Sequence, residues 1–425
     1  MRKGGMVMAK IFECLICGNT VYESDIYTHK AVHPGLKSYG YMWPSYYEEN
    51  PNRNLRLAPI HQSTLFAEAI GVSEVYIRDE GQNLSGSMKD YIVEEAVNLG
   101  IADGANVFTV VSSGNQAFSL AKYTQLAGKK AVLFAPESSS KIGILSTLDN
   151  VFILAVKDAI FEDVYRLAAD LNLPGVYNAN VTNDLLLPGL VTVSRQIIEA
   201  GLNIDYVLSG VGNGTYLAGL TLGFMKYRYA LPKIIPVGMM GAFPTQVALE
   251  NGISCYEYQD FQVDESIIDA AEGSIAIASY SMPQLIHAIT VSNGFCLGDL
   301  LNSDLATAYD LLYQDKALVD AGAIPEPTGI MGLAAAIKYR NCFGSKSRLL
   351  ISFTGHGVKD LEGIKRLVPN LYDELSAAAL ASRPDLSVSF AEMDMSKIKL
   401  IDKEMSKTDI ESIVYNWLRK EGGNL

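Results

Sequence analysis

An α/β fold built on a mostly parallel sheet is what this sequence predicts, and three observations predict it. Between about residues 60 and 360, short apolar runs alternate with segments of helical periodicity, the pattern of strands joined by crossover helices. The runs are short and rich in β-branched residues, as buried strands are. Each run also ends in a Gly-rich or polar turn, and open α/β sheets place their ligands beyond such strand ends.

Taken in order, VYIRD (75–79), NVFTVV (106–111), KAVLFA (130–135), VFILA (151–155), YVLS (206–209), KIIPVG (233–238) and RLLISF (348–353) read as strands. Apolar residues at three- and four-residue spacing predict helices over 88–99, 115–127, 214–228 and 328–340, with Gly128 where a helix cap belongs. Residues 1–50, rich in Tyr and His, read as an N-terminal appendage, 51–370 as the central body, and 371–425 as a helical extension ending in DIESIVYNWLRK.

Composition narrows the partners. A chain of 425 residues that is 49% apolar buries roughly 70–75% of its extended surface. The net charge of −13, with no Lys/Arg run, argues against a nucleic-acid surface. No 18-residue apolar span and no signal-like leader is present, so no membrane partner and a cytoplasmic location are expected. Five scattered cysteines form no disulfide framework. Small-molecule partners remain.

Four loops carry candidate chemistry. Gly210-Val211-Gly212-Asn213-Gly214-Thr215 follows a strand and opens a helix, where glycines let amides converge on an anion at the positive end of the helix dipole. By itself that is also an ordinary Gly-rich connection, and neither a dinucleotide nor a triphosphate fingerprint is present. Ser112-Ser113-Gly114-Asn115 and Thr354-Gly355-His356-Gly357 follow two further strands. Lys89 closes the polar turn Asn83-Leu84-Ser85-Gly86-Ser87-Met88. A lone lysine at a helix start is ordinarily solvated, whereas burial would depress its pKa and make it a nucleophile toward an aldehyde.

Asn83 to Asp90 resembles the N-P-T-G-S-F-K-D block of threonine synthases and other fold-type II pyridoxal-phosphate enzymes. Ser112–Asn115 is similar to their S-S-G-N, Gly210–Thr215 to G-x-G-N-G-G, LLISFTGHGVKD (349–360) to V-x-x-L-T-G-H-G-x-K-D, and Glu326-Pro327-Thr328 to E-P-[S/T]. The resemblance implies two open, mostly parallel sheets flanked by helices with pyridoxal 5'-phosphate in the cleft between them, and a smaller subdomain, about 91–179, inserted in the larger. It implies that Lys89 carries the cofactor as a Schiff base and moves the substrate protons. Asn115 would hold the ring oxygen, Gly210–Thr215 the phosphate, and Thr354 would face the pyridine nitrogen. Ser87, Ser112, Ser113, Gly114 and Asn115 would meet the amino-acid substrate. A neutral hydroxyl at the ring nitrogen makes a weaker electron sink, which favours elimination and replacement over transamination. A homodimer is the family habit.

The resemblance thins around the substrate. Met88 stands for the usual Phe, Tyr91 for the usual Arg after K-D, and Leu187-Pro188-Gly189 for E-G-Q, so the grip on a substrate phosphate is expected to differ, with Lys141 and Arg195 as replacements. The reaction implied is β/γ-elimination or replacement on an activated amino acid, nearest to the making of threonine from O-phosphohomoserine. A cysteate synthase-like or natural-product substitution, a serine/threonine dehydratase and a non-catalytic binding protein of the same fold stay open. Near the N-terminus, Cys14, Cys17, His29 and His33 form C-x2-C and H-x3-H pairs 11 residues apart, close to the spacing of a structural zinc site. A relic knuckle with free thiols is the alternative.

Overall fold

The computed structural model describes residues 10–33, 40–46, 58–139, 142–168, 171, 174–252, 270–274, 279–387 and 394–420. Their strands are Ile11–Cys14 (β1), Thr20–Tyr22 (β2), Met42–Tyr46 (β3), Ile60–Gln62 (β4), Glu74–Asp79 (β5), Val107–Val111 (β6), Lys130–Pro136 (β7), Val151–Val156 (β8), Val176–Asn178 (β9), Tyr206–Gly210 (β10), Lys233–Met239 (β11), Leu297–Leu300 (β12), Arg348–Phe353 (β13) and Ile398–Ile401 (β14). All seven strands read from the sequence are among them. The five helices read there run over Asp90–Ala102, Asn115–Leu126, Thr215–Lys226, Pro327–Lys338 and Lys407–Lys420.

The strands form two large sheets and one small one. The first has the order β12-β11-β10-β13-β5-β4, and the second β14-β8-β7-β6-β9. Pairing is parallel throughout both, except that β4 runs antiparallel to β5. Every residue of β6 and β8 is buried, because helices cover both faces of a parallel sheet and leave no polar side. A third, antiparallel sheet, β2-β1-β3, belongs to the N-terminal appendage. It docks on the body through Lys30 Nζ on Asp184 Oδ2 at 2.6 Å, and through Gln284, which donates to the Met42 carbonyl at 2.8 Å.

The C-terminal residues differ from their reading as a purely helical extension. β14 pairs with β8 in parallel register from Ile398↔Ile153 to Ile401↔Val156, closing one edge of the second sheet. The following helix stacks Trp417 on Phe152 at 4.8 Å between ring centroids. Among the described residues no helix is long and apolar enough to cross a membrane.

Candidate active site

Three of the four candidate loops converge because β10, β13 and β5 are neighbours in one parallel sheet, so their carboxyl ends open on the same side. The glycine loop leaves β10, Thr354 leaves β13, and the turn before Lys89 leaves β5. Ser112–Asn115 leaves β6 in the other sheet and is half-buried. Asn115 closes the gap between the sheets by donating to Glu326 Oε1 at 2.6 Å.

Lys89 is the N-cap of the helix Asp90–Ala102. Its turn is stitched to the Thr354 loop: Met88 N–H donates to the Thr354 carbonyl at 2.9 Å, His356 N–H to the Gly86 carbonyl at 2.9 Å, and Ser87 forms a bridge with Gly355. Lysine and threonine therefore share one frame. The Lys89 side chain keeps some accessible surface, yet protein crowds it enough that desolvation lowers its pKa to about 8, against the opposing pull of Glu326. The next residue, Asp90, accepts from Ser85 N–H at 2.8 Å, from the Ser85 hydroxyl and from Ser119 Oγ at 2.6 Å, which fixes the first turn of the helix.

The glycine loop divides into two parts. Gly210 still belongs to β10, and the Val211 amide donates to the Val237 carbonyl at 3.0 Å, so both are committed to the sheet. Glycine is required at 210 because a Cβ would lie 2.5 Å from the Thr328 carbonyl oxygen. Among the described residues the amides of Gly212, Asn213, Gly214 and Thr215 donate to nothing. Gly214, at φ +83°, is the N-cap that starts Thr215–Lys226. The loop is braced from behind: Ser279 Oγ donates to the Asn213 carbonyl at 3.2 Å, Tyr280 N–H to Asn213 Oδ1 at 3.1 Å, and Thr215 and Ser281 hydroxyls meet at 2.8 Å. Four unpartnered amides at a helix N-terminus fit a phosphate. The buried Thr354 hydroxyl, which has no hydrogen-bond partner among the described residues, fits a ring nitrogen.

Other expected residues lie elsewhere. Ser87 has no exposed surface, and its hydroxyl accepts the Lys89 amide at 3.4 Å, so it shapes the turn rather than facing a substrate. Tyr91 is fully buried, and its hydroxyl donates to Glu80 Oε2 at 2.8 Å and accepts from Arg78 at 2.8 Å, which removes it from any substrate phosphate. Arg195 Nε lies 3.8 Å from Glu199 Oε1 one turn along the same helix, and Lys141 lies outside the described residues. His356 is an ordering residue: burial lowers its pKa to about 4, Nδ1 accepts from Val358 N–H at 3.2 Å, and Nε2 therefore donates to the Gly322 carbonyl at 3.1 Å. Sequence reading missed Glu326 as a site residue, although its E-P-T signal was visible.

The N-terminal cluster is assembled. Cys14 Sγ lies 3.6 Å from His33 Nε2, Cys17 Sγ 3.4 Å from His29 Nε2, and the two imidazole nitrogens 3.3 Å apart. All four ligand atoms fall within 4.8 Å of one another. A tetrahedral zinc, with bonds of about 2.3 Å to sulfur and about 2.0–2.1 Å to nitrogen, spaces its ligands by about 3.3–3.8 Å. These residues fit that ion.

Residues 53–355 match the model of the pyridoxal-phosphate dependent enzyme family, and the chain belongs to that family. Within it the chain is of fold type II and threonine synthase-like. It is 25% identical to the threonine synthase of Methanocaldococcus jannaschii over 360 residues, 82% of each chain. It is 22% identical to that of Synechocystis sp. over 313 residues, 71% of this chain and 76% of the relative. Among solved structures it is similar to a fungal L-serine ammonia-lyase from Rhizomucor miehei (TM-score 0.62, 16% identity, 74% of this chain and 98% of that one). It is also similar to the processed form of threonine deaminase isoform 2 from Solanum lycopersicum (TM-score 0.60, 19% identity, 74% and 83%). At these identities the structural likeness shows the fold.

Proposed function

We propose that the protein eliminates or replaces a β- or γ-leaving group on an activated amino acid, with Lys89 as the lysine that takes the cofactor and moves the protons. The observation that carries this reading is a crowded lysine, its pKa lowered to about 8, held in one frame with Thr354 by the Met88–Thr354 hydrogen bond. Pyridoxal phosphate, when bound, supplies the electron sink that acidifies the α-carbon of an amino acid. Gly212–Thr215 bind the phosphate through their amides, and Thr354 offers the ring nitrogen a hydroxyl that does not enforce its protonation. Ser112–Asn115 orient the substrate carboxylate, and Glu326 holds Asn115 in place. Lys89, its pKa lowered to about 8, takes the α-proton and returns protons to the side chain.

A panel of O-phosphohomoserine, O-phosphoserine and O-acetylated amino acids, each with water, sulfite and thiols as second reactants, tests this reading and identifies the leaving group. Turnover of at least one donor is expected. Racemisation alone, with no leaving group lost, would overturn it.

The lysine makes a prediction for cofactor capture. Only the neutral amine attacks an aldehyde, and with a pKa of about 8 about a tenth is neutral at pH 7, against less than about a thousandth for an ordinary lysine. The rate at which cofactor-free protein captures pyridoxal phosphate is therefore expected to rise with pH and level off above about 8. A rate still climbing at pH 10 would contradict it.

We also propose that Cys14, Cys17, His29 and His33 bind a structural zinc, since all four positions are protein ligands and none is left for water. About one zinc per chain is expected by metal analysis, lost in Cys17→Ser together with thermal stability. Metal-free protein of equal stability would support the relic knuckle.

A further inference from the structure

We propose that the segment Ser382–Leu386 is a clamp that sets the reach of Lys89, with Arg383 as its positioning residue; this rests on the reading of Lys89 given above. Arg383 is 2% exposed, and each of its five N–H donors has an acceptor. Nη1 donates to the carbonyls of Gly81 at 2.5 Å and Asn83 at 2.9 Å, and Nη2 to that of Leu84 at 3.1 Å. The remaining donors form a fork on Asp385, Nε to Oδ1 at 2.9 Å and Nη2 to Oδ2 at 2.8 Å. Lys359 Nζ takes the next carbonyl, that of Ser85, at 3.0 Å.

Carboxyl groups hold two amides of the same turn. Gly81 N–H donates to Asp79 Oδ1 at 3.0 Å and Ser85 N–H to Asp90 Oδ2 at 2.8 Å. Two cations thus hold the carbonyls of Gly81, Asn83, Leu84 and Ser85 while two carboxyl groups hold the amides of Gly81 and Ser85, which fixes the peptide planes leading to Lys89. The clamp reaches the second loop as well: Ser382 Oγ lies 3.2 Å from His356 Nε2. Leu386 packs on Gly86, where φ is +74° and a Cβ would come within 2.4 Å of Leu386 Cδ1. One segment therefore touches both the turn that presents Lys89 and the loop that presents Thr354. A planar five-donor fork meets this set of acceptors, and a three-donor ammonium does not.

Arg383→Met, Arg383→Lys and Asp385→Asn test the proposal by hydrogen exchange on cofactor-free protein, followed by steady-state kinetics with pyridoxal phosphate bound. In Arg383→Met, amides of residues 81–89 are expected to exchange about ten- to a hundredfold faster while β6–β8 keep the wild-type rate. kcat is expected to fall at least about tenfold with KM little changed, because Ser112–Asn115 are untouched. Arg383→Lys should fall between Met and wild type. Wild-type exchange over 81–89 in Arg383→Met, or equal acceleration in every strand, would overturn the clamp. If Arg383→Met does not fold, Arg383→Lys and Asp385→Asn decide the matter by the same local-against-global comparison. Wild-type protein that fails to fix the cofactor at Lys89 would instead refute the functional reading, and the exchange result would still judge the clamp.

Discussion

Lys89→Ala is expected to lower turnover by at least about 10²–10⁴-fold, the range that a positioned general acid–base contributes, while leaving the fold intact. The side chain sits at a helix N-cap and accepts no structural role there, since Lys89 makes no side-chain cap hydrogen bond. Its amine is costly to bury, as its lowered pKa of about 8 records, so the cofactor-free variant should be no less stable than the wild type. The phosphate cup of Gly212–Thr215 is untouched, so the variant is expected to bind pyridoxal phosphate reversibly yet lose it on gel filtration after borohydride treatment. Added primary amines should restore a small part of the activity. Turnover within about threefold of wild type would assign the proton transfers to another group.

The largest effect on stability is expected beneath the site. Arg78 and Glu80 are both without exposed surface and meet at 2.6 Å. Glu80 also accepts from Tyr216 at 2.7 Å, Tyr91 at 2.8 Å and Asn83 at 2.7 Å, and Arg78 donates to Gln196. Glu80→Ala strands a buried guanidinium and three donors, a loss expected to cost about 3–5 kcal/mol in chemical denaturation of the cofactor-free protein. The double change Arg78→Met/Glu80→Leu removes both charges and should recover much of that loss. A cost below about 1 kcal/mol for Glu80→Ala would put the pair in the class of solvated surface bridges. The network has a consequence for function as well. Asn83 opens the turn that ends at Lys89, so loosening Glu80 reaches the site through a single hydrogen bond.

What could be read in advance follows from where burial falls. β6, β7, β8, β10 and β13 were legible because two covered faces leave a predominantly apolar run. β9, β12 and β14 were not: they hold three or four residues each and lie at sheet edges, too short for a period to show. The loops of the site were legible because glycine and serine requirements are local. The identity of Tyr91 was visible as a departure, but its direction was not, since only the packing of Asp90–Ala102 turns it toward Arg78. Arg383 was invisible for a different reason. Apart from Asp385, its partners are carbonyls 299 to 302 residues away, and nothing in the local pattern of PDL or LAS announces them.

Reduction with borohydride shows whether Lys89, of all the lysines, takes the cofactor. Protein saturated with pyridoxal phosphate, reduced, digested and analysed by mass spectrometry is expected to carry one pyridoxyl group, on the peptide containing Lys89, with none recovered from Lys89→Ala. A protein that takes up no pyridoxal phosphate, or label spread over surface lysines and undiminished in Lys89→Ala, would contradict the account.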